Sequence, residues 1–453
     1  MKPLMLITGP VATRSGYGSH SRDLCRSLIA MDKFDIKINS LRWGNCPMNA
    51  LDESKPEDIE ILSRILSTNE LERQPELHIQ ISVPNEFTPI AKYNIGITAG
   101  IENTAPKAEW IQGMNRMNMN IVPSKFVKGI FESVTYEEIN EQTKQKTGEL
   151  KCTSPIEVLF EGADTKIYGK TKDISEDLKS EMDNIEERFV FLYTGHWLQG
   201  ELGQDRKDTG MLLQTFLETF KNKPNPPALV MKTSGATFSI IDRNEIKGKI
   251  EEIKATVKGK LPPVYFLHGD LTDKEMNQMY NHPKVKAHIT FTHGEGFGRP
   301  LLEASLSEKI VIAPNWSGHI DFLNKNNSVL LPGIMTDVHK SALPKEILVE
   351  GAKWFTVNYQ YASQVMKDVL KNNRKYGMMA KKQSMYNRVN FSMDKMTKDF
   401  GKILDKYLPS FEEQPQRVNL KLPTLKKVGD EPTGEKVATK SLEKVKLPKL
   451  KKV

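Results

Sequence analysis

The 453-residue chain has little cysteine, and what it has is scattered. Cys25, Cys46 and Cys152 are odd in number, far apart and without a C-x-x-C pair, which argues against a disulfide framework or a structural zinc site and fits a reducing cytoplasm. No D-x-D triplet, H-x3-H or H-E-x-x-H arrangement occurs, so no metal site is indicated and no separate cofactor is expected. A G-x4-G-K-[ST] loop and a G-x-S-x-G elbow are also missing, which leaves NTPase and α/β-hydrolase readings without their motifs. No run of about eighteen apolar residues could span a bilayer. The opening MKPLMLITGP is too short and too soon broken for a signal peptide and reads as a first strand.

Hydrophobic residues make up 38% and charged ones 27%, as in an ordinary globular protein, and the length allows two domains with sizeable cores. The net charge of +8 is concentrated at one end: residues 417–453 hold eleven Lys or Arg against four Asp or Glu, leaving +1 for the rest. Within that end LKLPTLKKV (420–428) and VKLPKLKKV (445–453) match at seven of nine positions. So lysine-rich a segment is expected to be a disordered tail, or a pair of docking motifs for a polyanion or an acidic protein.

The stretch that organises the chain is 287–323, AHITFTHGEGFGRPLLEASLSEKIVIAPNWSGHIDFL. Residues 287–292 form a short apolar and β-branched run suited to a buried strand, which breaks into Gly294, Gly296 and Gly298. Such glycines let the backbone approach a ligand closely. Pro300 suits a first helical position, and Leu301, Leu302, Ala304 and Leu306 supply a buried side. A helix start of this kind aims free N–H groups at the loop and favours an anion. Glu295 and Glu303 lie eight positions apart around that loop. Phosphate would repel them, so sugar hydroxyls on either side of it suit them better. A second strand (309–313) then turns at Ser317 and Gly318 into a helix expected over 319–323. The repeated pattern is that of an open α/β sheet whose ligands sit at the carboxyl ends of its strands.

The run from Glu295 to Glu303, EGFGRPLLE, with the SGHIDFL turn after it, closely resembles the E-x7-E signature of retaining glycosyltransferases of family four. The resemblance covers about 1–408. It implies an α/β GT-B fold: two Rossmann-like domains facing across a cleft, here followed by a disordered basic C-terminal tail (409–453). The first, an acceptor domain, would comprise 1–172, completed by a crossing helix at 386–408. The second, a nucleotide-sugar donor domain, would comprise 187–385, with the charged stretch 173–188 as the connection. It implies a metal-independent transferase using a nucleotide-diphosphate sugar. Glu303 would hold the nucleotide ribose and Glu295 the hydroxyls of the donor sugar, with Gly296, Phe297, Gly298, Ser317 and Gly318 around the donor.

Members of that family place a basic pair on the donor phosphates. Lys207 corresponds to the lysine, while His196 and Trp197 stand where the early arginine is usual. Arg206 is either the second cation or surface charge. Lys232, near the end of a strand, is a further donor contact. Gly16, Tyr17 and Gly18, with His20 as a lesser candidate, correspond to the glycine-rich first loop. Glu102 is a candidate for the cleft and Ser124 for a helix cap. Residues 52–72 and 350–408 read as helical, with Trp354, Phe355 and Tyr359 as core, and 135–151 as a surface insertion. Two other functions stay open: a non-catalytic or differently catalytic sugar-nucleotide binder on this fold, and a transferase for DNA or another polyanionic acceptor held by the tail.

Overall fold

The computed structural model describes residues 2–68, 71–140, 142–235, 237–342 and 347–411. The tail repeats at 420–428 and 445–453 lie outside the described residues.

Within Lys2–Glu412, two parallel sheets are wrapped by helices. The first contains β1 (Leu4–Gly9), β2 (Asp35–Ser40), β3 (Leu77–Ile81), β4 (Tyr93–Ile97) and β5 (Met119–Val122). An antiparallel hairpin of β6 (Thr135–Ile139) and β7 (Lys146–Lys151) follows, largely exposed, before β8 (Ile156–Val158) closes the sheet in the order β2-β1-β3-β4-β5-β8. Strands β1 and β3 read LMLITG and LHIQI and are buried along their whole length, as a parallel strand covered on both faces must be.

The second sheet contains β9 (Val190–His196), β10 (Ala228–Ser234), β11 (Val264–Leu267), β12 (Val285–Ile289), β13 (Ile310–Pro314) and β14 (Val329–Leu331). Its order, β11-β10-β9-β12-β13-β14, reverses direction between β9 and β12, which is the Rossmann arrangement. Phe191, Phe216 and Phe220 pack between this sheet and the helices on it. Two parallel sheets so built give the two-domain GT-B fold.

Three expectations give way. Residues 350–408 are not wholly helical: β16 (Lys353–Val357) pairs antiparallel with β15 (Gly333–Asp337), burying Trp354 and Phe355 in a β-ribbon. KWFTV is rich in aromatic and β-branched residues, and pairing overrides the helical pattern that follows it. Of the described residues in 52–72 only Pro56–Leu62 is helical; beyond it Ile65 bridges to Ile38, and Leu66 N–H donates to Ile38 O. At 319–323 there is a short 3-10 turn over Gly318–Asp321 rather than a helix.

Near its end the chain turns at Phe391 and Ser392 between the helices Asn373–Asn390 and Met393–Tyr407. The second of these crosses back, sending Met396, Phe400 and Leu404 into the core of the first sheet. Among the described residues no helix is long and apolar enough to cross a membrane.

Candidate functional site

In a doubly wound sheet the crevice opens where strand order reverses, beyond the carboxyl ends of the strands on either side. Here those strands are β9 and β12, and the loops after them are tied together. His293 N–H donates to Arg206 O at 2.8 Å, and the Thr292 hydroxyl donates to the same oxygen at 3.3 Å. This brings Lys207 Nζ to 2.5 Å from Glu295 Oε1. Arg206 Nη1 donates to Gly294 O at 3.1 Å and stands 3.6 Å from Glu295 Oε2 and 3.2 Å from Glu102 Oε1 of the facing lobe. Arg206 also lines a cavity of about 710 Å³ together with Trp197, Ser239 and Lys249.

Burial pushes the Glu295 carboxyl up, but Lys207 and Arg206 outweigh it and hold the group at about 2, so it is ionised at neutral pH. Its backbone is fixed as well: its N–H donates to Ser317 Oγ at 2.9 Å, and its carbonyl accepts from Gly318 N–H at 2.8 Å. Gly318 is required there, because a Cβ would stand 1.9 Å from Gly296 O. Gly296 in turn leaves no room on the opposite side, where a Cβ would meet Ala99 O at 2.3 Å. That glycine therefore serves a close approach of one lobe to the other rather than of the backbone to a ligand.

Glu303 occupies a second cluster. Arg299, at the start of the helix Arg299–Leu306, donates from Nε to Glu303 Oε1 at 3.1 Å and pairs through Nη1 with Asp23 of the helix Gly16–Met31, across the cleft. Tyr280 donates to Glu303 Oε2 at 3.4 Å. Burial raises the Glu303 carboxyl to about 7, against the pull of Arg299. Glu161, just beyond β8, is likewise raised by burial to about 7 while Arg299 opposes the shift and Asp23 and Glu295 add to it. Burial lowers the His20 imidazole to about 3, with Arg299 beside it adding to the effect.

The remaining sequence candidates separate. Phe297 is 2% exposed and packs on Phe322, so it belongs to the core beneath the loop. Gly298, at φ 95°, is the turn into the helix Arg299–Leu306. Lys232 forms no ion pair among the described residues and lies 5.4 Å over the ring of Phe238. Gly16 opens the helix Gly16–Met31, and Gly18 donates its N–H to the capping Ser15 hydroxyl. Tyr17 stacks on Trp43 at 4.2 Å and bonds Thr98. Sequence reasoning passed over Asp23 and Glu161. Glu161 follows a strand of a parallel sheet at its carboxyl end, and that position is the signal that could have found it.

No protein-family model and no curated protein sequence matches the chain. Solved structures do match in fold. A sucrose-phosphate synthase from Thermosynechococcus elongatus superposes with a TM-score of 0.57 at 12% identity, over 90% of this chain and 99% of that one. A glycosyltransferase from Rickettsia africae gives 0.55 at 14% identity, over 90% and 99%. Anabaena HepE in complex with UDP-glucose gives 0.54 at 13%, over 89% and 100%. The chain thus shares the GT-B fold of these proteins along nearly its whole described length.

Proposed function

We propose that this chain is a glycosyltransferase moving a sugar from a nucleotide-diphosphate donor to an acceptor hydroxyl, with retention of configuration and without a metal ion. The observation that carries the reading is the Arg206–Lys207–Glu295 cluster at the reversal of the second sheet, faced by Glu102 of the other lobe. Glycosyltransferases among the solved structures of this fold, one of them holding UDP-glucose, support it by analogy. Residues 1–172 with 386–408 are then the acceptor side, and 187–385 the donor side.

The chemistry follows from the charges. Transfer through an oxocarbenium-like transition state builds positive charge on the sugar and negative charge on the leaving diphosphate. Lys207 and Arg206, with the positive end of the helix Arg299–Leu306 behind the loop, meet the second need. Glu295 is too weak a base to take a proton at neutral pH; as a fixed carboxylate it accepts hydrogen bonds from sugar hydroxyls and favours developing positive charge. Glu303 takes the ribose hydroxyls. The acceptor attacks from the face the diphosphate leaves, and the leaving phosphate accepts the acceptor's proton, with no covalent nucleophile assigned. The start of the helix Gly16–Met31, with Gly16 and Gly18 in its first turn, borders the acceptor, and closure of the cleft excludes water that would hydrolyse the donor. Lys232, Ser317 and Gly318 complete the donor wall.

Mass spectrometry after incubation with a panel of nucleotide sugars tests this. Release of nucleoside diphosphate from at least one donor is expected, and failure to bind or turn over any of them would overturn the reading.

A further inference from the structure

The helix Asn373–Asn390 turns apolar side chains outward. Inward, Tyr376 and Ala380 join the apolar core, and the rest of the buried face is polar: Gln383 donates to Phe322 O at 2.7 Å and accepts from Asn324 N–H and the Ser328 hydroxyl, Ser384 donates to Leu306 O, and Asn387 donates to Ser305 Oγ. Its outer face carries Met378, Met385 and Val389, which are 58%, 71% and 70% exposed. At 3.6 residues per turn these three fall within about 40° of one another, forming a single ridge. Arg374, Lys381 and Arg388 flank the ridge on one side, and Lys375 and Lys382 on the other. The helix contains no Asp or Glu, and among the described residues no carboxylate pairs with any of these five cations. Tyr386 stands at the edge, 42% exposed, where a groove of about 380 Å³ runs on to Ile320 and Lys325.

We propose that this face docks on the surface of an anionic lipid bilayer. A narrow apolar ridge between two rows of cations matches a layer of anionic headgroups over acyl chains: the methionines and valine enter between headgroups while the cations meet phosphates at their own level. Buried polar groups on the inner side, each with a hydrogen-bond partner, hold the ridge outward, so the exposed apolar groups are not the leftover of a poorly packed helix. Nucleic acid would be met by the cations alone and has no use for a central aliphatic ridge. The surface is independent of the donor site and of the function proposed for it.

Co-sedimentation of the full chain with phosphatidylcholine vesicles, with and without phosphatidylglycerol, tests the proposal. Wild type is compared with M378Q/M385Q/V389Q, which keeps every charge, and with K381E/K382E. The basic segment 417–453 is present in all three, so its own attraction for anions cancels. Binding to the anionic vesicles is expected to fall about tenfold in each variant, and wild type should be released from them by high salt. Unchanged thermal unfolding shows that each variant is folded. Absence of wild-type binding, or equal binding by the glutamine variant, would overturn the proposal. So would loss of duplex DNA binding by K381E/K382E without any vesicle binding by wild type, which would assign the face to nucleic acid.

Discussion

Lys207 and Glu295, 88 positions apart in the chain, meet as a buried ion pair, each side chain only 11% exposed. Removing Glu295 strands the Lys207 charge in a poorly hydrated site, at a cost of about 3–5 kcal/mol, whereas removing Lys207 leaves Glu295 with Arg206 at 3.6 Å and costs less, and removing both together is nearly neutral. Glu295→Leu is expected to lower unfolding stability by about that amount and Lys207→Met by less, with the double variant close to wild type yet unable to turn over donor. Urea denaturation of the three proteins decides it, and additive losses in the double variant would count against the pair.

Glu303→Ala is expected to weaken donor binding by about 1.5–3 kcal/mol, the worth of a hydrogen bond to a charged group. Calorimetric titration with a donor that wild type turns over measures this. An unchanged affinity would move the ribose elsewhere.

The same residue sets a pH dependence. Its folded-state carboxyl lies at about 7, above the ordinary 4.5, so its ionisation opposes folding. The stability it contributes is complete below about 4.5 and is lost as pH rises through 7, about 3 kcal/mol in all. Glu295 acts in the opposite sense: its stabilisation is present above 4.5 and is lost as pH falls toward 2. Between pH 4.5 and 8 wild type should therefore lose stability relative to Glu303→Gln, a gap that denaturation at several pH values reads directly. A difference independent of pH would contradict it.

Turnover is expected to survive EDTA, since Lys207, Arg206 and a helix start are assigned the diphosphate charge. An activity abolished by chelation and restored by Mg²⁺ or Mn²⁺ would contradict the metal-free step.

Much of the fold could be read from local pattern, because several of the parallel strands are short apolar runs that break into a loop before a helix. What misled was short pairing: KWFTV lies beside a long helical stretch, and only its partner, Gly333–Asp337, makes it a strand. The loop from Glu295 to Glu303 declared itself through its glycines and proline. The partners of Glu303 did not, because Asp23 is 276 positions from Arg299 and nothing in either neighbourhood encodes the meeting. Gly296 was legible as a glycine that something must approach, but not that the approaching group is Ala99 of the same chain.

Ser124 is tied at both ends of its hydroxyl. It accepts from Val127 N–H at 3.2 Å, capping the helix Lys125–Ser133, and donates to Gly296 O of the other lobe at 2.6 Å. The cap lies wholly within the first lobe and the donated bond spans the cleft. Parting the lobes thus breaks the donated bond, together with the neighbouring one from Lys125 N–H to Asp321 Oδ2, and leaves the cap intact. The hydroxyl behaves as a detachable latch on a permanent fitting, and for it the shut and open forms differ by a single exchange with water.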